Sequence, residues 1–323
     1  MVGQEGTASL LMRKHNTKLI VNPNADLGRA WRLAGDLRPV IEEFGGADWS
    51  GTVYPTHATE LAKEAALQGY PLVVAVGGDG TVHEVINGLM QVPQEERPRL
   101  GVVPLGTGND FAHMVGISTH SVTAARQVFT GKPRPIDIFK VSDDHGRCEY
   151  VDNTLGIGFD ALVNIRSRNV PVIHGFFVYL LAVFQTILLN HDPPFMRFRS
   201  DLESWEREML MLVACNGPRE GGGFFVAPEA RPDDGLLNYV GVCSVSRLMM
   251  LRLVPEVMRG THARFSQVSM GAFHQMDLHS NKHLYMHADG EIFSGFGQDV
   301  RHVVIEVIPG AVEVMTTGQE QAA

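Results

Sequence analysis

Residues 72–76 read Leu-Val-Val-Ala-Val and run straight into Gly77-Gly78-Asp79-Gly80-Thr81. An unbroken, valine-rich apolar run suits a strand buried on both faces, as in a parallel sheet covered by helices. Glycines at 77, 78 and 80 let the backbone turn sharply and approach a ligand closely. Helical periodicity follows through about Met90. The turn therefore ends at a helix start, where free N–H groups and the positive dipole end favour a phosphate. Thr81 is expected to cap this helix, with Glu84 at the capping-box position.

The same grammar recurs at Val103-Pro104-Leu105-Gly106-Thr107-Gly108-Asn109-Asp110-Phe111-Ala112. Two such turns on neighbouring parallel strands face one crevice at the strands' carboxyl ends, where α/β sheets bind ligands. Neither is a GxxxxGK[ST] phosphate loop, and the chain contains none. The one GxGxxA match, Gly156 to Ala161, lacks the acidic residue that a dinucleotide fingerprint needs and reads as chance. Upstream, Lys18–Val21 reads as a strand ending at Asn22-Pro23-Asn24, and Leu27–Phe44 as a helix with a possible kink at Pro39. Thr52–Tyr54 reads as strand, and His57–Gln68 as a helix closed by Gly69. Strands alternating with helices predict a doubly wound α/β domain.

The pattern changes after about Thr130, and Pro133-Arg134-Pro135 reads as a linker. Alternating strands then dominate, at Ile136–Val141, Glu149–Leu155, Met209–Cys215, Leu236–Val242, Leu284–His287 and Val303–Val307. They predict a mostly antiparallel β domain, a sandwich. A chain of 323 residues is long enough for two cores. The expected division is a tail over 1–16, an α/β domain over 17–132 and a β domain over 133–318.

Charge narrows the partners. A net charge of −9 disfavours nucleic acid, and contact with an anionic membrane would have to use local basic patches. One candidate is Ser246–Arg264, where Arg247, Arg252, Arg259 and Arg264 stand among apolar residues, with Pro255 expected to end or kink the helix. The other is His174–Leu189, inside an apolar run from Val172 that reads as a buried or amphipathic helix rather than a span. Leu10-Leu11-Met12 precedes Arg13-Lys14, the reverse of the secretory order. Cys148, Cys215 and Cys243 are scattered and odd in number, as expected of buried thiols in a reducing cytoplasm.

Asp79 and Asp110 put carboxylates beside the glycine turns, as phosphoryl transfer needs for handling a divalent cation. Asp289-Gly290 between apolar runs is foremost a hairpin turn, and the functional reading makes Glu291 a general base. Asp233-Asp234-Gly235-Leu236 reads as a turn or a metal site. His279, His283 and His287 recur every four residues, which would suit zinc on a helix, but the region reads as strand and turn.

Five blocks in this order resemble the diacylglycerol kinase catalytic-domain family, particularly its soluble bacterial lipid kinases. They are Ile20-Val21-Asn22-Pro23, Gly77 to Thr81, Pro104 to Ala112, Asp234-Gly235-Leu236 and Asp289-Gly290-Glu291. The resemblance implies an N-terminal α/β domain akin to NAD kinase and phosphofructokinase, a C-terminal β-sandwich and an active site in the cleft between them. It implies an ATP site built from Asn22, Thr52, Gly77, Gly78, Asp79, Gly80, Thr81, Gly106, Thr107, Asn109 and Asp110. Glu291 is implied as proton acceptor, with Asp289 and Asp79 beside the chemistry, and Mg2+ as the metal. A second, architectural magnesium is implied at Asp234 and the carbonyls of Arg231 and Leu236. The implied reaction is phosphorylation of a membrane lipid, diacylglycerol first, by a cytoplasmic protein that touches the membrane peripherally; a homodimer is left open. Thr81 to Met90 looks like the matching stretch of sphingosine kinases, so a sphingoid base stands as the alternative acceptor, with NAD kinase and a silent nucleotide or lipid sensor behind it.

Overall fold

In the N-terminal half, strands and helices alternate as the apolar runs dictate. The computed structural model of the protein describes residues 15–28, 30–168, 176–189 and 192–317. The half comprises β1 (Thr17–Val21), α1 (Ala25–Gly28), α2 (Ala30–Glu43), β2 (Asp48–Gly51), α3 (His57–Leu67), β3 (Leu72–Gly77), α4 (Asp79–Leu89), β4 (Arg99–Pro104), α5 (Asp110–Met114) and α6 (Ser121–Thr130). Its strands are parallel in the order β2-β1-β3-β4. Successive β3 residues go to opposite cores: Val73 and Ala75 pack with α3 and α4, Val74 and Val76 with α2 and α6. The direction of strand progression reverses between β1 and β3, which makes their carboxyl ends the topological switch point.

The second half comprises β5 (Lys132–Asp143), β6 (Cys148–Val151), β7 (Thr154–Gly158), α7 (Phe159–Ser167), α8 (Phe176–Leu189), β8 (Phe195–Ser200), β9 (Ser204–Cys215), β10 (Leu237–Cys243), α9 (Arg247–Met258), β11 (Val268–Phe273), β12 (Gln275–Ser280), β13 (Met286–Ala288), β14 (Glu291–Ser294) and β15 (His302–Thr316). Apart from the contact of β15 with β4, its strand pairs are antiparallel. The long β9 serves two sheets: its first part pairs with β8, and its second part with β7 and β10. Phe139, Phe198, Leu212, Tyr239 and Phe273 fill the sandwich between them. The outer face of the β7-β9-β10 sheet is covered by α7, α8 and α9. β15 returns to pair in parallel with β4 at Val314–Leu100, so the last strand belongs to both halves.

Several expectations shift. The second strand lies at Asp48–Gly51, not Thr52–Tyr54; Thr52 follows it and donates its N–H to Val21 O at 2.9 Å. Pro133 and Pro135 are not a linker but the start of β5. There β5 pairs only with β15, and β6 joins its other side from Phe139 onward, so the missing N–H groups cost no ladder bond. Pro255 does not end its helix, because α9 continues to Met258. Among the described residues no helix is long and apolar enough to cross a membrane; residues 172–175 of the apolar run, and 1–14 of the tail, lie outside them. Cys148 is exposed rather than buried.

Candidate active site

At the switch point β1 delivers Asn22 and β3 delivers Gly77. Asn22 N–H bonds Val76 O at 3.0 Å, and its Nδ2 donates to Thr81 Oγ1 at 3.2 Å. Thr81 therefore does not cap α4; the N-cap is Gly78, and Thr81 ties the helix to the first strand. Nor does Glu84 complete a capping box: its carboxylate accepts the N–H groups of Thr56 and Ala58 at the start of α3. A Cβ on Gly77 would stand 2.3 Å from Thr81 Oγ1, so this glycine is required by the close approach of its own turn.

The second turn packs directly against the first. A Cβ on Gly106 would come within 2.7 Å of Gly78 Cα. Asn109, at φ +51°, braces its own turn, exchanging bonds of 2.9 and 2.8 Å with the Gly106 N–H and carbonyl. Thr107 is exposed at the tip. Asp79 crosses between the turns, its Oδ1 accepting Phe111 N–H at 3.2 Å. Burial, with Asp110 nearby, pushes Asp79 up to about 6. Asp110 itself is spoken for: Oδ1 meets Arg219 Nε at 2.6 Å and Oδ2 accepts Gly222 N–H at 2.9 Å. It fastens the second turn to the loop after β9.

The Asp289-Gly290 hairpin joins β13 to β14 with two positive-φ residues, +48° and +86°, as a two-residue turn requires. Asp289 is a pin. Its carboxylate accepts the N–H groups of Asp152, Asn153 and Thr154 at 2.8–2.9 Å and meets His83 Nδ1 at 2.8 Å. His83 Nε2 meets Glu149 at 2.8 Å. Burial alone would lower His83, but its bonds to the two acids outweigh it and hold the imidazole well above its ordinary value. Burial likewise opposes Asp289, yet the bond and charge of His83 keep that carboxyl below its usual range. Asp152, buried beside Asp289, is driven well upward by burial and by that neighbouring charge.

This pin fixes Glu291. A Cβ on Gly80 would lie 3.4 Å from Glu291 Oε1, so the carboxylate stands over the first turn of α4. Arg168 Nη2 holds it from the other side, donating to Glu291 Oε2 at 2.7 Å and to Gly290 O at 2.6 Å. Half-exposed, the Glu291 carboxylate is open to solvent.

Behind the hairpin, His287 is wholly buried, with Nε2 2.8 Å from Asp160 and 3.0 Å from Glu220. Gly290 N–H points at its Nδ1 at 3.2 Å. Burial and then Asp160 push Glu220 up to about 7, while at His287 burial is outweighed by the charges of Glu220 and Asp160, which raise the imidazole to about 10, so the triad as a whole holds on to a proton. The glycine at 156 has its reason here: a Cβ would sit 2.0 Å from Asp160 Oδ2. Asp160 and Glu220 form the floor of an apolar groove of about 640 Å³, counting its solvent-open mouth, walled by Phe159, Val163, Val183, Ile187, Met250 and Leu253.

The sequence matches the family described as "Diacylglycerol kinase catalytic domain" over residues 16–141 and "YegS C-terminal NAD kinase beta sandwich-like domain" over 153–316. The chain belongs to the diacylglycerol kinase family of lipid kinases. The kinase is 31% identical over 213 residues to a diacylglycerol kinase of Mycobacterium tuberculosis, covering 66% of this chain and 68% of that one. A diacylglycerol kinase of Bacillus subtilis is 28% identical over 262 residues, covering 79% and 84%. A Xanthomonas euvesicatoria protein named "Probable lipid kinase YegS-like" is 31% identical over 266 residues, covering 81% and 84%. In fold, the kinase resembles the crystal structure of a diacylglycerol kinase from Bacillus anthracis, with a TM-score of 0.70, 22% identity and coverage of 94% and 97%.

In the kinase, the residues singled out in the sequence do not all gather in one place. Asn22, the two glycine turns, Asp79, Asp289 and Glu291 gather around the N-terminus of α4. The Arg231–Leu236 turn closes on Asp137 instead. Gly235 N–H donates to Asp137 Oδ2 at 2.7 Å, and Asp234 Oδ1 accepts Leu236 N–H at 3.0 Å. Asp233 is paired with Arg134 at 2.6 Å, which leaves the exposed Asp234 as the outward carboxylate. The exposed Asp234 carboxylate is the hard-oxygen kind of donor that a cation such as Mg2+ takes. The three histidines separate: His287 is in the buried triad, His283 meets Gly295 O at 3.1 Å, and His279 lies on β12. Sequence reasoning missed Arg168, Arg219 and Glu149 as partners and gave no role to His83, since each pairs across more than 60 positions.

Proposed function

We propose that this lipid kinase transfers the γ-phosphoryl group of ATP to a hydroxyl of diacylglycerol, giving ADP and phosphatidic acid. The observation that carries the reading is Glu291 standing over Gly80 at the start of α4, on a hairpin whose Gly290 N–H reaches His287 and, through it, the acidic floor of the apolar groove. The glycine turns and α4 offer backbone N–H groups to the phosphates. Glu291 takes the proton of the attacking lipid hydroxyl as its oxygen bonds to the γ-phosphorus and the bond to the ADP oxygen breaks. Mg2+ arriving with ATP would neutralise phosphate charge, and Asp79 would be the carboxylate that helps hold it. The groove between α7, α8 and α9 takes the acyl chains.

One observation favours a second reading, a sphingoid base as acceptor. The groove is apolar except for its acidic floor, where Glu220 Oε2 is buried with no hydrogen-bond partner. An amine or hydroxyl of a single-chain lipid would satisfy it. Assaying dioleoylglycerol, sphingosine and NAD+ in identical mixed micelles separates the readings. Preferential labelling of dioleoylglycerol supports the first and of sphingosine the second; transfer to NAD+ alone overturns both.

Access to a bilayer is proposed through the groove's rim. Phe184, Leu188 and Leu189 of α8 and Leu248 and Leu251 of α9 are exposed around it, beside the exposed Arg247 and Arg252. Glu256, the one acid of α9, is neutralised by Arg264 at 2.5 Å. Basic residues beside an apolar rim suit an interfacial contact with anionic lipid. Arg247→Glu/Arg252→Glu is expected to weaken co-sedimentation with anionic vesicles at low salt and to leave turnover on short-chain lipid in detergent unchanged. Equal vesicle binding would sink the membrane contact.

The Asp234 turn is proposed as an architectural Mg2+ site. Asp234→Ala should lower the metal content and melting temperature and leave ATP affinity alone; a variant matching its parent in both shows that the turn holds no metal.

A further inference from the structure

The outer face of the sheet carries a histidine pair remote from the nucleotide turns in fold position. Asp277 and His279 lie two apart on β12 and so share a face. His302 on β15 is the direct cross-strand partner of His279. The imidazoles stack in parallel, with centroids 3.9 Å apart and planes within 2°. Both Nε2 atoms turn to the same carboxylate: His279 reaches Asp277 Oδ1 at 3.1 Å and His302 reaches Oδ2 at 2.9 Å. The three donor atoms lie within 4.8 Å of one another.

We propose that Asp277, His279 and His302 form a surface site for a borderline transition-metal ion such as Zn2+ or Ni2+, clamping β12 to β15. Zinc takes imidazole nitrogen at about 2.0–2.1 Å and carboxylate oxygen at about 2.0–2.2 Å, so donors in one coordination shell stand roughly 3–3.5 Å apart. The two N···O separations already have that spacing, and the stacked rings need only rotate about their side-chain bonds to turn both Nε2 lone pairs onto one ion. β12 is paired on both sides, to β15 and to β8, so the backbone that carries the donors is fixed before the metal arrives. Neighbouring cations leave room. Arg197, beside His279, is turned to Glu206 at 2.7 Å, and Arg301 to Asp299 at 2.8 Å. Arg199, opposite Asp277 on the same face of β8 as Arg197, is exposed. Both rings are part-exposed, so the remaining coordination positions open to water. Two imidazoles select against Mg2+, which separates this site from the oxygen-ligand sites of the kinase reaction.

The test uses the full chain, stripped with chelator, titrated calorimetrically with Zn2+ and compared with His279→Gln/His302→Gln. The parent is expected to bind one equivalent that the double variant loses or binds at least about tenfold more weakly. Zn2+ should raise the melting temperature of the parent and not of the variant, because the ion binds the folded state. Mg2+-supported turnover without zinc should be equal in both, which keeps this result independent of the kinase reading. Absence of zinc binding in the parent, or the same stoichiometry and affinity in the variant, overturns the proposal.

Discussion

Glu291→Gln is expected to lower turnover by about 10²–10⁴, the usual cost of losing a general base, with the ATP dissociation constant changed by no more than about twofold. The substitution keeps the length and shape of the side chain, and an amide oxygen can still accept from Arg168, which now holds Glu291 at 2.7 Å. It removes the one property the proposed chemistry needs, the capacity to take a proton. The hairpin should survive, because its backbone is pinned by Asp289 through three N–H bonds and His83 and not by Glu291. Single-turnover measurements with saturating ATP separate the chemical step from product release. A fall of less than about fivefold in the single-turnover rate would make Asp289-Gly290-Glu291 a structural turn only.

Asp79→Asn is expected to stabilise the protein while abolishing transfer. The folded-state pKa of Asp79 is raised from 3.8 to about 6, chiefly by burial and then by Asp110. Between those values the folded carboxyl holds a proton that the unfolded chain has released, so stability falls as pH rises through that window. The loss is complete above about pH 6, where it is on the order of 2–3 kcal/mol at roughly 1.4 kcal/mol per pKa unit. Asparagine carries no such penalty and retains the oxygen that accepts Phe111 N–H. Denaturant melts at pH 8 should therefore show the variant more stable than its parent, and the gain should vanish by about pH 4. Turnover should drop at least about a hundredfold at pH 8, since a neutral amide cannot orient a cation on the phosphates. A variant that is no more stable at pH 8 contradicts the burial argument, and one with near-parental turnover places the nucleotide site elsewhere.

Both turns were legible because each is local. The apolar strand, the glycines and the helix that follows occupy about ten consecutive residues, and close approach leaves its mark as glycine at 77 and 106. The strands of the second half were legible as alternation, and the hairpin as Asp-Gly. What the sequence concealed is long-range: His83 finds Asp289 across 206 positions, and Asp110 finds Arg219 across 109. Local composition misled in two places. Pro133 and Pro135 looked like punctuation, yet a strand lacking a second neighbour tolerates them. The threonine and glutamate of Thr81-Val82-His83-Glu84 looked like a capping box, yet Glu84 caps the neighbouring helix instead. The buried His287 triad gave no signal as a cluster, because its residues come from α7, β13 and the loop after β9, which only the fold brings together.

The most direct measurement of the central claim is transfer of label from γ-labelled ATP to a total lipid extract dispersed in detergent, with NAD+ as a parallel acceptor and Glu291→Gln as the matched control. The expected result is an organic-phase phosphorylated lipid formed by the parent and nearly absent with the variant. Label confined to inorganic phosphate or to a water-soluble nucleotide product, or equal lipid labelling by parent and variant, would contradict it.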